Sequence, residues 1–359
     1  MSTPQTSIFG QISLDHIEFY VSDLAAETQR LVDGFGLAVY SGTDPAAPPE
    51  ARSAGLGRGE IRLVLTQPLV EDHPAAAYVE RHGDGVADIS LGVADPAAAF
   101  AEAVRRGARP VAAPHDVEGV VRATIMGFGD VAHTFVRRPE GMDARHLPGL
   151  LPRPEAEPTW DSGLSAVDHF AVCLEAGQLD PTVRFYEEVL DFRMIFEEQI
   201  VVGNQAMNSK VVQSVGGAVT LTLIEPDVTR SPGQIDEFLK NHGGAGVQHV
   251  AFNADDIVAA VQNIQRRGVE FLSTPDTYYT MLASRMELAR HTVSDLREVN
   301  VLVDADHHGQ LFQIFTRSAH PRKTFFLELI ERLGAQTFGS GNVKALYEAV
   351  ELQRQAERD

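Results

Sequence analysis

The strongest constraint on this chain is that it repeats itself. Asp15-His16 recurs as Asp168-His169, offset by 153 residues, and Gly85-Val86-Ala87-Asp88 recurs as Gly246-Val247-Gln248-His249, offset by 161. Gly129 to Phe135 aligns with Gly309 to Phe315, offset by 180. Offsets that grow slowly along a chain describe one ancestral unit, duplicated, with insertions mostly in the second copy. Inside each copy the order strand, helix, strands occurs twice. The pattern is a βαβββ module used four times, two per domain, each pair curling a sheet around a cavity. The expected class is α+β.

Residues 1–138 read as the first domain, 139–165 as a linker with five prolines and little periodicity, and 166–359 as the second domain. In the first copy, strands are expected over 14–21, 60–67 and 86–93, with a hairpin at 123–128 and 132–137. Helices are expected over 23–33, 75–83 and 96–106. The Gly- and Ala-rich stretch 51–59 reads as a loop. In the second copy, Asp180-Pro181 is expected to cap a helix running to Leu190. Glycine ends the helix at Gly107 in one copy and at Gly268 in the other. A last helix is expected over 342–358, with Val343, Leu346, Tyr347 and Val350 on its apolar face.

A formal charge of −20 argues against nucleic acid and anionic membrane surfaces as partners. Cys173 is the single cysteine, which leaves neither an intrachain disulfide nor a thiolate cluster. No stretch approaches the roughly 18 apolar residues of a membrane span, and residues 1–12 lack a basic segment followed by an apolar run. The expected location is cytoplasmic.

Three strands of the second copy each carry one metal-capable side chain among apolar neighbours. These are His169, His249 and Glu328. Period-2 geometry puts His169 on one face with Ala171 and Cys173, His249 with Val247 and Ala251, and Glu328 with Phe326 and Ile330, so all three point inward. A lone inward histidine is most often a hydrogen-bonded core residue. Two histidines and a carboxylate on three strands of one domain are the parts of a facial triad, which holds iron(II) and leaves positions open. In the first copy His16 survives, Asp88 takes the place of His249, and Pro148 stands opposite Glu328. That copy is expected to have a structural or oligomeric role. Ser209, Thr222, Gln313 and Gln234 are expected to line the cavity, with Phe315 and Phe326 as walls. His242, His291, His307, His308 and His320 read as surface residues.

With these residues in place, the sequence resembles the 4-hydroxyphenylpyruvate dioxygenase family of the vicinal-oxygen-chelate superfamily over nearly its full length. The segments that carry the resemblance are Gly243 to His249, Gly309 to Thr316, and Glu328 to Arg332 continuing into Gly339 to Asn342. The resemblance implies two vicinal-oxygen-chelate domains, each an open barrel of paired modules, plus a closing helix. It implies that His169, His249 and Glu328 hold iron(II), and that 4-hydroxyphenylpyruvate and dioxygen are the substrates. Gln234, Gln248 and Gln313 would be polar pocket residues, with Phe315 and Phe326 facing the substrate ring.

The family has two branches, one hydroxylating the ring to give homogentisate and one hydroxylating the benzylic carbon to give 4-hydroxymandelate. Thr222-Leu223-Ile224-Glu225-Pro226 stands where the first usually has Pro-x-Asn-Glu-Pro, and Tyr347 where it usually has Phe. Both departures are similar to the mandelate-forming branch, as is the run Gln205 to Lys210. On that reading Ser209, Thr222 and Tyr347 hold the phenol, and the product feeds hydroxyphenylglycine into peptide antibiotic synthesis. A homodimer is expected. An isomerase or ring-cleaving dioxygenase on the same module, and a non-catalytic binding protein of this fold, are the rivals.

Overall fold

The computed structural model describes residues 7–46, 50–153, 156–339 and 341–342. The first half runs β1 (Ser13–Tyr20), α1 (Leu24–Phe35), β2 (Ala38–Gly42), β3 (Ala51–Arg58), β4 (Ile61–Pro68), α2 (Pro74–His82), β5 (Gly85–Gly92), α3 (Pro96–Arg105), β6 (Pro110–Val117), β7 (Val120–Phe128), β8 (Val131–Arg137). After β9 (Leu151–Pro152), the second half runs β10 (Leu164–Cys173), α4 (Leu179–Leu190), β11 (Arg193–Val202), β12 (Gln205–Gln213), β13 (Thr220–Pro226), α5 (Gln234–His242), β14 (Gly246–Ala254), α6 (Ile257–Gln265), α7 (Asp276–Arg285), α8 (Val293–Glu298), β15 (Leu302–Ala305), β16 (Gln310–Phe315), β17 (Phe326–Leu333).

The strands form two sheets with one topology. The first is ordered β6-β7-β8-β5-β1-β4-β3-β2-β9 and the second β15-β16-β17-β14-β10-β13-β12-β11. In each, the first strands of two modules pair antiparallel at the centre (β1 with β5, β10 with β14). Each module closes by pairing its first and last strands in parallel. Four βαβββ modules in two α+β domains are what the repeat calls for. The parallel closure is what each helix makes possible: it carries the chain across one face, where its apolar stripe is buried.

Register corrects one of the offsets. Asp88 pairs with Glu18 as His249 pairs with Ala171, so those two positions correspond. Asp88 then pairs with Ala132, and His249 with Phe326. Strand β8 is therefore the counterpart of β17, not of β16, and Thr134, not Pro148, stands in the place of Glu328. Successive hairpin strands share one alternating pattern, so pattern alone cannot tell neighbours apart. The second half also inserts α7 and α8, which stretches the offset.

Other expectations change locally. Residues 51–58 are strand β3, because its small residues fit between larger ones: a Cβ on Gly55 would meet Ser41, Leu147 and Tyr40 within 3 Å. Glycine is there for close approach, not for a turn. Helix α4 starts at Leu179 with no side-chain cap of its own. Glu225 on β13 accepts instead from the Gly177 and Leu179 N–H groups, at 2.8 and 3.1 Å. In the proline-rich linker, β9 adds to the edge of β2, and the last two residues, Leu164 and Ser165, already belong to β10.

The halves pack on one another through polar and aromatic groups. His133 Nε2 meets the Tyr186 hydroxyl at 2.7 Å, and Phe19 packs edge-on against Phe325 at 5.2 Å. His242 is buried, stacked between Phe238 and His82, and His320 is buried beside Glu27. His291 is covered too, donating to Glu331. These three are not surface residues: His82 and Glu27 of the first half cover His242, the last residue of α5, and His320, while Glu331 and Phe312 cover the His291 side chain. His307 and His308 are exposed. Among the described residues, no helix is long and apolar enough to cross a membrane.

Candidate metal centre

Cross-strand register assembles the site row by row. One row runs His169–Ala251–Glu328–Phe315 across β10, β14, β17 and β16. The next runs Val211–Thr222–Ala171–His249–Phe326 across β12, β13, β10, β14 and β17. Partners in register share a face, so both rows look into the concave side of one sheet. Between Ala171 and Val172 the register slips by one residue on β14. That bulge lets Gln248 and His249, consecutive in sequence, both face the cavity, and it turns Val247, expected on the face of His249, into the apolar core with Val172.

The donor atoms of His169, His249 and Glu328 lie within 4.8 Å of one another, and all three residues are buried. Both Nε2 atoms address the same oxygen, Glu328 Oε2, at 3.3 Å from His169 and 3.2 Å from His249. Asp168 Oδ1 accepts from His169 Nδ1 at 2.8 Å, which turns Nε2 toward the cluster. His249 Nδ1 has no partner among the described residues. Burial opposes a charge on His169, but the Glu328 carboxylate and then Asp168 outweigh it and raise the group to about 9. Burial also opposes charge on Glu328 and is outweighed by His169, which holds the carboxyl below its usual range. Burial lowers His249. A compact, buried set of two imidazoles and one carboxylate fits a divalent first-row cation.

A cavity of about 240 Å³ opens over this cluster. It reaches every expected site residue among those described: Ser209, Thr222, Ile224, Gln234, Gln248, Gln313, Phe315 and Phe326 line it with the three donors. Tyr347 and most of the expected last helix lie outside the described residues. Phe326 stacks on His249 at 5.0 Å and meets Phe315 edge-on at 5.9 Å. Thr222 Oγ1, Gln313 Oε1 and Asn342 Nδ2 are buried on this lining without a partner among the described residues. Unpartnered polar atoms in an apolar pocket are costly unless a ligand meets them.

A chain from Dictyostelium discoideum called 4-hydroxyphenylpyruvate dioxygenase is 34% identical, covering 95% of this chain and 98% of its own length. The chain belongs to the 4-hydroxyphenylpyruvate dioxygenase family. A Xenopus tropicalis protein of the same name is 33% identical over 96% and 92%. A solved triple mutant of 4-hydroxymandelate synthase from Streptomyces coelicolor superposes with a TM-score of 0.82 at 44% identity, covering 95% of this chain and 98% of that one. Models of the Glyoxalase/Bleomycin resistance protein/Dioxygenase superfamily match residues 15–123 and 166–314, one in each half.

Membership makes the contrast between the two halves of this dioxygenase-family chain informative. At the matching place in the first half, His16 Nε2 lies 3.2 Å from Ser90 Oγ, and Ser90 and Thr134 both donate to Asp88. Burial, against those two bonds, pushes Asp88 up to about 6. This is a self-satisfied polar core with no third donor. A second cluster, Asp256, His291 and Glu331, has its buried carboxylate occupied by the Ile257 N–H, Arg290 and His291. Sequence reasoning missed Phe338, whose ring meets His169 edge-on at 5.2 Å, and Asn300, Thr274 and Asn342 in the lining. Their positions follow from loops and inserted helices, where neither 2 nor 3.6 periodicity speaks.

Proposed function

We propose that the chain is an iron(II)-dependent 4-hydroxymandelate synthase. It would convert 4-hydroxyphenylpyruvate and dioxygen to 4-hydroxymandelate and carbon dioxide. Two of the four oxidising equivalents of dioxygen are used in the decarboxylation and two in the hydroxylation, so no external reductant is required. The observation that carries this reading is the buried two-histidine, one-carboxylate cluster on the floor of an aromatic-walled pocket with unpartnered polar atoms. The metal would be held by His169, His249 and Glu328. When bound, iron(II) supplies a centre that takes an α-keto acid and dioxygen side by side.

The remaining steps belong to this chain's side chains. Phe315 and Phe326 offer an edge-to-face pair against which an aromatic ring packs. Thr222 Oγ1 and Gln313 Oε1 are the acceptors left for a phenol or a carbon-bound hydroxyl. Ser209, Thr222 and Ile224 lie on the β12–β13 side of the cavity, the metal donors on the other. A ring held between them is set by that spacing, and a shift on the order of 1 Å decides which carbon reacts. Tyr347 belongs to the proposal from its sequence position alone.

The test is product analysis with purified protein, iron(II), 4-hydroxyphenylpyruvate and oxygen, run beside authentic standards. 4-Hydroxymandelate is the expected product. Homogentisate would keep the family and the metal and overturn the branch. A paired variant, Thr222→Pro with Tyr347→Phe, is expected to move part of the product toward homogentisate. Product that stays wholly mandelate would remove those two residues from the assignment.

A further inference from the structure

We propose that Arg332 is a positioning residue of the metal centre, fixing His169 and Phe338 through one guanidinium. The inference rests on reading His169, His249 and Glu328 as metal ligands, and extends it to side chains outside that set. Arg332 lies four residues beyond Glu328 on β17, on the same strand face. Its Nη2 and Nε donate to Asp168 Oδ1 and Oδ2 at 2.8 Å each, the two-pronged geometry in which a guanidinium grips a carboxylate best. Asp168 Oδ1 also accepts from His169 Nδ1. The arginine thus locks the carboxylate that sets which imidazole nitrogen faces the site. Of the two ligand histidines, His169 has this support, and His249 Nδ1 has no partner among the described residues.

The third nitrogen works on the other side. Nη1 donates to the carbonyls of Ala335 and Thr337, at 3.1 and 2.7 Å. The guanidinium carbon lies 4.9 Å from the centre of the Phe338 ring. That ring is edge-on to His169. Phe338 lines both the metal cavity and a larger cleft of about 710 Å³, to which Ser13 and Arg62 of the first half contribute. Among the described residues it is the one the two linings share. A single guanidinium therefore holds both the carboxylate behind His169 and the ring edge-on to it.

The duplication supplies an internal control. By register Arg138 is the counterpart of Arg332. It donates to Asp15, which accepts from His16 Nδ1, and it holds the His146 carbonyl as Arg332 holds those of Ala335 and Thr337. There the clamp stands behind a histidine that faces a serine. If the clamp served folding alone, removing either copy would have the same consequences.

The experiment compares the full-length wild type, Arg332→Gln and Arg138→Gln. It measures iron(II) affinity by competition with a chromophoric chelator without oxygen, and thermal unfolding of the metal-free proteins. Both variants are expected to lose thermal stability. Only Arg332→Gln is expected to lose iron affinity, by roughly 10- to 100-fold. Arg332→Lys, which keeps the charge without the fork, guards against misfolding of the glutamine variant and is expected to lose affinity as well. Arg332 variants that bind iron as the wild type does, or an Arg138→Gln protein that loses as much, would overturn the proposal. A wild type that binds no iron would instead overturn the metal reading beneath it.

Discussion

Ala251→Val places two extra methyl groups at the one position where register leaves only a methyl between two metal donors. Ala251 pairs with His169 on one side and Glu328 on the other, is fully buried, and packs on Leu311, Ile330 and Ala335. The donor atoms close to within 4.8 Å, and bonds from nitrogen or oxygen to a first-row divalent ion are about 2.0–2.2 Å. The donors must therefore stay within a few tenths of an ångström of a common centre. A valine side chain reaches about 1.5 Å further than alanine, one carbon–carbon bond. The neighbours below Ala251 are themselves buried, so the strain is expected to push His169 and Glu328 apart. Overpacking of this kind costs about 1–3 kcal/mol of stability. A displacement beyond the metal–ligand tolerance costs at least 10-fold in iron affinity, about 1.4 kcal/mol. The control is Ala103→Val, equally buried on α3 of the first half. Both variants are expected to unfold at lower denaturant concentration. Only Ala251→Val is expected to bind iron(II) more weakly by calorimetry. An Ala251→Val protein with lowered stability and unchanged iron affinity would refute the idea that this cross-strand row sets the donor geometry.

Burial lowers His133 to about 4, so the folded state keeps it neutral and its contribution to stability is complete above pH 6.5. That contribution is lost as pH falls through 4, about 3 kcal/mol in all. Urea titrations between pH 7 and 4 should show this drop in the wild type and a shallower one in His133→Gln; parallel curves would contradict it. Glu225→Gln weakens the borrowed cap on α4 and is expected to cost about 1 kcal/mol while leaving iron affinity as it is. A loss of iron in that variant would mean the carboxylate serves the site. Gly339 has φ +78°, and a Cβ there would fall 1.9 Å from Gln313 Oε1. Gly339→Ala is therefore expected to displace the Gln313 amide and raise KM at least several-fold, and an unchanged KM would take Gln313 out of the substrate pocket.

Much of the site was legible from local chemistry. A histidine or glutamate among apolar strand residues declares its face by period 2, and the repeat declares the topology. This was enough to place His169, His249 and Glu328 in one cavity with Ser209, Thr222, Gln313 and the two phenylalanines. The glycines of β3 misled because the same residue serves turns and close packing, and only the neighbours Tyr40 and Leu147 distinguish the two uses. Of the five second-half histidines read as surface residues, His242 proved to be the last buried position of α5, and His320 and the His291 side chain are covered by chain distant in sequence.

The sequence by itself determined the duplicated βαβββ order, the inward face of each metal-capable side chain and the family, because these depend on spacing within single strands and on residue identity. Tertiary structure alone decided which strands correspond, since alternation is the same in every strand of a hairpin and only hydrogen-bond register identifies the partner. That register put Thr134, not Pro148, opposite Glu328. It also decided the support behind His169: Arg332 and Asp168 are 164 residues apart, and a two-pronged ion pair over that distance exists only where two folded strands bring its ends together.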